Sequence, residues 1–413
     1  MITFSEHTLE NGLRIIIHED HSTPLAALNL LYDVGARDEH PEQTGFAHLF
    51  EHLMFEGSAN IPHYDTPLQL AGGNNNAFTS NDITNYYLTL PAANIETGFW
   101  LESDRMLQLA FSQEKLDIQK KVVSEEFKQR YLNQPYGDLW LLIRPLIYDQ
   151  HPYRWATIGK DLSHIENATL NQVESFFYAH YAPNNAILVV SGHVHTPEII
   201  QLSEKWFGPI PQRQIKKRNL PIEPRQKQEK RLSVEREVPA DLLLMAFHMP
   251  HRTHPDYYAY DLLSDIMSNG KSSLLYQRLV KENNLFSEIN AYVLGSIDPG
   301  LFMISGRMNK NHSLEKGEQA VWQILNEIKQ NGVTEQALQK VKNRFETAEQ
   351  FSLMNILNKA MKLAFAAHMG NVGLVNTEPS MYHAVSANDI QRVACEAFCS
   401  DNSTILEYKA INH

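Results

Sequence analysis

The segment Gly45-Phe-Ala-His48-Leu-Phe-Glu51-His52-Leu-Met-Phe55 places two imidazoles and a carboxylate within five residues. On a helix turning about 100° per residue, with His48 at the origin, Glu51 falls near ~300° and His52 near ~40°. All three then share one face. Leu49, Phe50, Leu53 and Met54 fill the other faces, so the helix is apolar nearly all round and belongs in an interior. Polar groups there are costly unless paired or bound to metal. Neutral imidazoles at i and i+4 are a standard pair of zinc ligands, and catalytic zinc usually takes three protein ligands plus water. Glu51 is one turn from His48 and adjacent to His52, so it is poorly placed to join the same ion. It is well placed to take a proton from the attacking water. A charged, solvated helix face is the bland alternative, and the apolar surroundings argue against it.

The elements that must position this turn can be read along the chain. Gly12–His18 and Leu25–Tyr32 are β-rich runs separated by the turn-like His21-Ser-Thr-Pro24. Thr44 offers a helix cap, and Gly45–Met54 reads as the apolar helix, ending near Gly57. Strands are expected at Ala77–Thr79 and Asn85–Leu90, helices from Ala93 to about Gln134 with a break at Pro135, and a buried strand at Ala186–Ser191. Residues 211–232 carry eight Lys/Arg against two Asp/Glu and three prolines, which reads as a solvated basic linker. After it the order restarts: a strand at Ala240–His248, helices at Pro255–Ser268 and Ser272–Glu282, strands at Ile289–Leu294 and Leu301–Arg307, then long helices. The expectation is an α+β protein of two homologous domains, each a mostly antiparallel sheet packed with helices. Their expected bounds are 1–210 for the metal-bearing domain, 211–232 for the linker and 233–413 for a second domain without a metal site.

Composition narrows the function classes. A chain of 413 residues with 43% apolar and 20% charged residues is an ordinary globular protein of more than one domain. The net charge of −12 argues against a general nucleic-acid binder. No apolar run reaches the roughly 18 residues of a membrane span, and the N-terminus lacks a signal-peptide pattern, so a cytoplasmic protein is expected. Cys395 and Cys399 are too few for a disulfide framework and read as two small buried side chains. His193-Val-His195, at a strand end, and His248, His251 and His254, among prolines, are read as structural. Asn269-Gly-Lys-Ser-Ser273 lacks the first glycine of a phosphate loop, Asp265 standing in its place.

His48-Leu-Phe-Glu51-His52 is the inverted form, HxxEH, of the usual zinc-peptidase motif. Around it stand Gly73-Asn-Asn-Asn-Ala-Phe-Thr-Ser80, Val122-Val-Ser-Glu-Glu126, His151-Pro-Tyr153 and Tyr181-Ala-Pro-Asn-Asn185, with a looser second-half match at Gly270–Leu279. Together these resemble the family of pitrilysin, insulysin and mitochondrial processing peptidase. The resemblance implies a zinc metalloendopeptidase with one Zn2+ per chain, held by His48, His52 and a glutamate from a second helix. That glutamate aligns with Glu126, with Glu125 as the alternative. It implies that Glu51 activates the water attacking a peptide carbonyl, and that Gln119 stands where relatives often carry a supporting glutamate. It also implies that Asn76, Ala77 and Phe78 belong to an edge strand on which a substrate peptide pairs by its main chain.

One departure stands out. Relatives supply an arginine and, seven residues later, a tyrosine from the second domain; the aligned positions here are Val280 and Ser287. Neither can steady an oxyanion. The expectation is a dimer, with a paralogous subunit contributing an Arg/Tyr pair, acting on peptides or unfolded segments. A non-catalytic or weakly catalytic assembly or peptide-binding subunit of the same fold is the alternative.

Overall fold

A computed structural model describes residues 1–411, which form two compact units. The first comprises Met1–Arg130, His151–Pro221 and Gln350–Asn376; the second comprises Tyr131–Gln150, Ile222–Glu349 and Thr377 onward. The units are therefore interleaved along the chain, where two contiguous halves were expected.

The first unit is built on six strands: β1 (Ser5–Thr8), β2 (Arg14–Glu19), β3 (Leu25–Tyr32), β4 (Asn74–Thr79), β5 (Thr84–Pro91) and β6 (Ala186–Gly192). Their order is β1-β2-β6-β3-β5-β4, with only the β2–β6 pair parallel. All seven residues of β6 are buried, as its continuous apolar run requires of a strand covered on both faces. One face packs Ile16, Ala27, Leu31, Ile187 and Val189 against Ile356, Ala360, Leu363, Ala364 and Ala367 of the helix Ile356–His368. A helix from late in the chain thus completes the core of the first unit. Asn29 and Asn85, both fully buried, exchange side-chain hydrogen bonds of 2.9 and 2.8 Å across neighbouring strands, which satisfies two otherwise costly amides.

The second unit carries β7 (Lys230–Arg236), β8 (Leu242–Met249), β9 (Phe286–Leu294), β10 (Gly300–Met308) and β11 (Ser403–Ala410), ordered β7-β11-β8-β10-β9. Again a single pair, β7–β11, is parallel. Without its extra edge strand β1, the first sheet has the same order, so the two sheets repeat one topology. The expected α+β class with two like domains is what the chain adopts. The sequence reading passed over β1, which is short, β7, which is rich in charge, and β11 near the end of the chain.

Two local expectations are corrected. Residues 211–232 are irregular as far as Glu229 but are tied down at several points. Arg213 donates to the carbonyls of Tyr181 and Leu107, and Arg218 clamps the carboxylates of Asp33 and Asp38 at 3.1 and 2.6 Å. Gln226, in the second unit, is buried and donates to Ser403 O at 2.7 Å. Arg213 and Arg218 find helix-end carbonyls and carboxylates, so the segment is held at these two points while Lys216, Lys217, Arg225 and Lys227 stay exposed. Cys395 is exposed and Cys399 half-buried. The helix that carries Cys395, Ala387–Ala397, turns Ile390, Val393, Ala394 and Ala397 inward, which leaves Cys395 facing outward, and Cys399 lies just beyond its end. Among the described residues, no helix is long and apolar enough to cross a membrane.

Candidate metal and catalytic site

The HxxEH segment is helical over Phe46–Leu53, here α1. Phe46, Ala47, His48, Leu49, Phe50 and Leu53 are buried, and Phe50 stacks on Phe176, Phe177 and Tyr181. The helix start differs from expectation. Gly45, with φ of +90°, is the cap, while Thr44 turns its hydroxyl to His164 and Lys160. A side chain at Gly45 would meet Ile158 O at 2.6 Å, so both conformation and space require glycine. The free amides at the helix start go to a buried carboxylate: Glu39 accepts from Gly45 N and Ala47 N, each at 2.9 Å. That carboxylate also lies at the positive end of the helix dipole.

His48 and His52 project from α1 towards Glu126, on the helix Gln113–Phe127. Oε2 of Glu126 lies 3.7 Å from Nε2 of His48 and 3.4 Å from Nε2 of His52. The edge of a zinc tetrahedron with bonds of about 2.0–2.1 Å is about 3.3 Å, so the donor set and its spacing fit a zinc ion. The other Glu126 oxygen accepts from Arg130 at 2.9 Å, which turns Oε2 to the imidazoles. Arg130 sits in a π-helical turn, Lys128–Leu132, that follows the Glu126 helix; such wide turns recur at functional sites. Glu125, the alternative ligand, points away and pairs with Lys128 at 2.8 Å, as the roughly 100° between adjacent helical side chains dictates.

Burial pushes the His48 imidazole down from 6.5 to about 4, against the pull of the Glu126 carboxylate. The ring is therefore neutral, the state a metal requires. His52, by hydrogen bonding, holds the Glu126 carboxyl below its ordinary 4.5. Nδ1 of His48 is buried and finds no hydrogen-bond partner among the described residues, so packing orients this ring. Glu51 lies one turn along the same face. Burial raises its pKa above 4.5, opposed by the hydrogen bond from Thr79 Oγ1 to Oε2 at 2.7 Å.

Residues 14–135 match the insulinase family (peptidase family M16), and residues 167–345 match the peptidase M16 inactive domain. The chain belongs to peptidase family M16. It is similar to the zinc protease PqqE of Helicobacter pylori, at 28% identity over 97% of this chain and 92% of that protein. A second relative is the uncharacterized zinc protease YmxG of Bacillus subtilis, at 24% identity over 86% of this chain and 85% of that protein. The crystal structure of a protease from Helicobacter pylori superposes with a TM-score of 0.93 at 27% identity, covering 99% of this chain and 100% of that one. A peptidase M16 inactive domain from Pseudomonas fluorescens does so at 0.90 and 17% identity, covering 100% and 98%; that likeness shows the fold alone.

In this M16 chain Gln119 reaches across to the turn after α1: its amide donates to Glu56, and its Oε1 is buried without a partner among the described residues. No hydrogen bond joins it to His48, His52 or Glu126. Strand β4 is the sheet edge beyond β5. On it Asn76 is exposed, and the Ala77 amide donates to Asn76 Oδ1 at 2.8 Å. Phe78 packs on the core beside Phe365. In the second unit Val280 packs against the core, and Ser287 donates to Arg307 O at 3.2 Å. Sequence reasoning missed three groups at the site. Arg130, four residues beyond Glu126, could have been found by helical spacing. Thr79 lay inside a quoted motif but was given no role. Glu39 had no local signal, because its partners are backbone amides.

Proposed function

We propose that this M16 chain is a zinc metalloendopeptidase acting on peptides or unfolded segments. The observation that carries the reading is the cluster of His48, His52 and Glu126 ligand atoms, all within 4.8 Å of one another, with the Glu51 carboxyl on the same helix face. Zinc held by these three residues would supply a Lewis acid for the scissile carbonyl and the attacking water. Glu51, its proton affinity raised by burial, takes the proton from that water and returns it to the leaving amine. Thr79 fixes one Glu51 oxygen and belongs to the edge strand β4. A peptide pairing along Asn76, Ala77 and Phe78 would therefore run beside the base. The Ala77 amide becomes available for such pairing once the Asn76 side chain turns away. Relatives named zinc proteases support the metal and the reaction class.

Val280 and Ser287 offer no cation or phenol for an oxyanion, and this favours a working unit in which a second, paralogous chain provides them. A non-catalytic peptide-binding or assembly subunit is the second reading, supported by the same two residues. A quenched-peptide assay with metal analysis separates the two. Zinc-dependent cleavage by the wild type, lost in Glu51→Gln with zinc retained, is the outcome of the first reading. Zinc without any Glu51-dependent cleavage, alone or with a co-purified partner, is that of the second. Native mass measurement of the complex tests the partner; a self-associated species with full activity rejects the heterodimer.

A further inference from the structure

A second set of metal-ligating side chains lies where β2 and β6 leave the first sheet. Glu19, His21 and His195 bring ligand atoms within 4.8 Å of one another and share no residue with the α1 cluster. The convergence follows from the topology. The strands β2 and β6 are parallel neighbours with Glu19 opposite Gly192, so the turns that follow them emerge side by side. They are tied together by Asp20 N to Gly192 O at 2.7 Å and His193 N to Leu25 O at 2.9 Å.

The carboxylate is oriented before any ion arrives. Oε1 of Glu19 accepts from Thr196 N at 2.8 Å and Thr196 Oγ1 at 2.6 Å, which leaves Oε2 facing His21 Nε2 at 3.5 Å. That separation is close to the roughly 3.3 Å edge of a zinc tetrahedron, and a hydrogen-bonded, fixed carboxylate is the usual support of a metal ligand. The His193 ring stands edge-on to His21 at 4.8 Å, and the His195 ring lies 5.2 Å from it. Asp20 does not compete, because its carboxylate is taken by Lys359 and Ser22.

We propose that Glu19, His21 and His195 form a second transition-metal site, with His193 beside it. Two imidazoles and a carboxylate select Zn2+, Ni2+ or Cu2+ over the oxygen-seeking Mg2+ and Ca2+. Three protein ligands leave the remaining positions to water. The ion staples the turn after β2 to the turn after β6, and the exposure of His21 and Glu19, 45% and 39% of their side chains, lets it exchange directly with solvent.

The test is equilibrium dialysis of the untagged, chelator-stripped protein against micromolar Zn2+, followed by metal analysis. The variant His21→Ala/His195→Ala loses one equivalent of zinc per chain relative to the wild type, whatever the α1 site holds, and Glu19→Gln weakens the same equivalent. With Cu2+, the nitrogen hyperfine structure of the second equivalent disappears in the double variant. Equal zinc in the wild type and the double variant overturns the proposal. All three positions are exposed, so the variants are expected to fold; matching circular dichroism and melting of the metal-free proteins checks this.

Discussion

At the residue scale the proposed reaction asks one carboxyl to move a proton and one imidazole to stay without one. Replacing Glu51 by Gln should lower kcat/KM for a peptide by about 10²–10⁴-fold, the usual worth of a general base, with zinc content unchanged by metal analysis. Replacing Glu126 by Gln should instead lower zinc retention, which dialysis against a chelator measures. The metal-free protein gives a pH test with a definite sign. His48 has a folded pKa of about 4 against an ordinary 6.5, so below 6.5 the unfolded chain binds the extra proton first. The stability this group contributes is present above pH 6.5 and is lost as pH falls towards 4. Urea denaturation across that window should show the loss, and His48→Ala should flatten it. Glu51 acts oppositely: its raised pKa makes the ionised form costly in the folded state, so Glu51→Gln should stabilise the metal-free protein at neutral pH.

At the element scale α1 is held at its start by Glu39 and Gly45. Removing the Glu39 carboxylate with Ala should cost about 1–2 kcal/mol, as loss of a helix N-terminal acceptor does. It should weaken zinc retention too, since both histidines ride on this helix. Gly45→Ala forces a methyl against Ile158 O and a left-handed backbone on a residue that resists it, costing about 1–3 kcal/mol; thermal melting measures both. These determinants were only half visible in the sequence. The helix itself was legible, because its apolar periphery and its polar triplet share one 3.6-residue period. Its cap was misassigned to Thr44, because capping depends on which residue turns first, and here Ile158 and Glu39, distant or non-helical, decided that.

At the scale of the whole molecule, the helix Ile356–His368 completes the core of the first unit. A fragment of residues 1–232 would leave Ile16, Ala27, Leu31, Ile187 and Val189 uncovered, an exposed apolar face that favours aggregation. Expression of that fragment should give insoluble protein, and co-expression with residues 350–376 should recover solubility. In the full chain, Leu363→Ala at a fully buried position should cost about 2–5 kcal/mol in the first unit's unfolding transition. Soluble, cooperatively folding 1–232 would contradict this account of the core.

The sequence by itself determined what is local and periodic: the HxxEH helix face, the main strands and the repeat of one strand order; the pair Glu125 and Glu126 was singled out by the family resemblance alone. Side-chain direction follows from helical and strand periods alone, so those statements needed no contacts. The resemblance already favoured Glu126 over Glu125, and the fold brings Glu126 to the histidines; only the tertiary structure decided that Thr79 and Arg130 steady the carboxylates, and that a late helix closes the first core. It also decided that His21 and His195, separated by most of a domain in sequence, share one corner through the parallel pairing of β2 and β6. Those outcomes depend on which elements pack together, and packing is a property of the folded chain that no short window of residues contains.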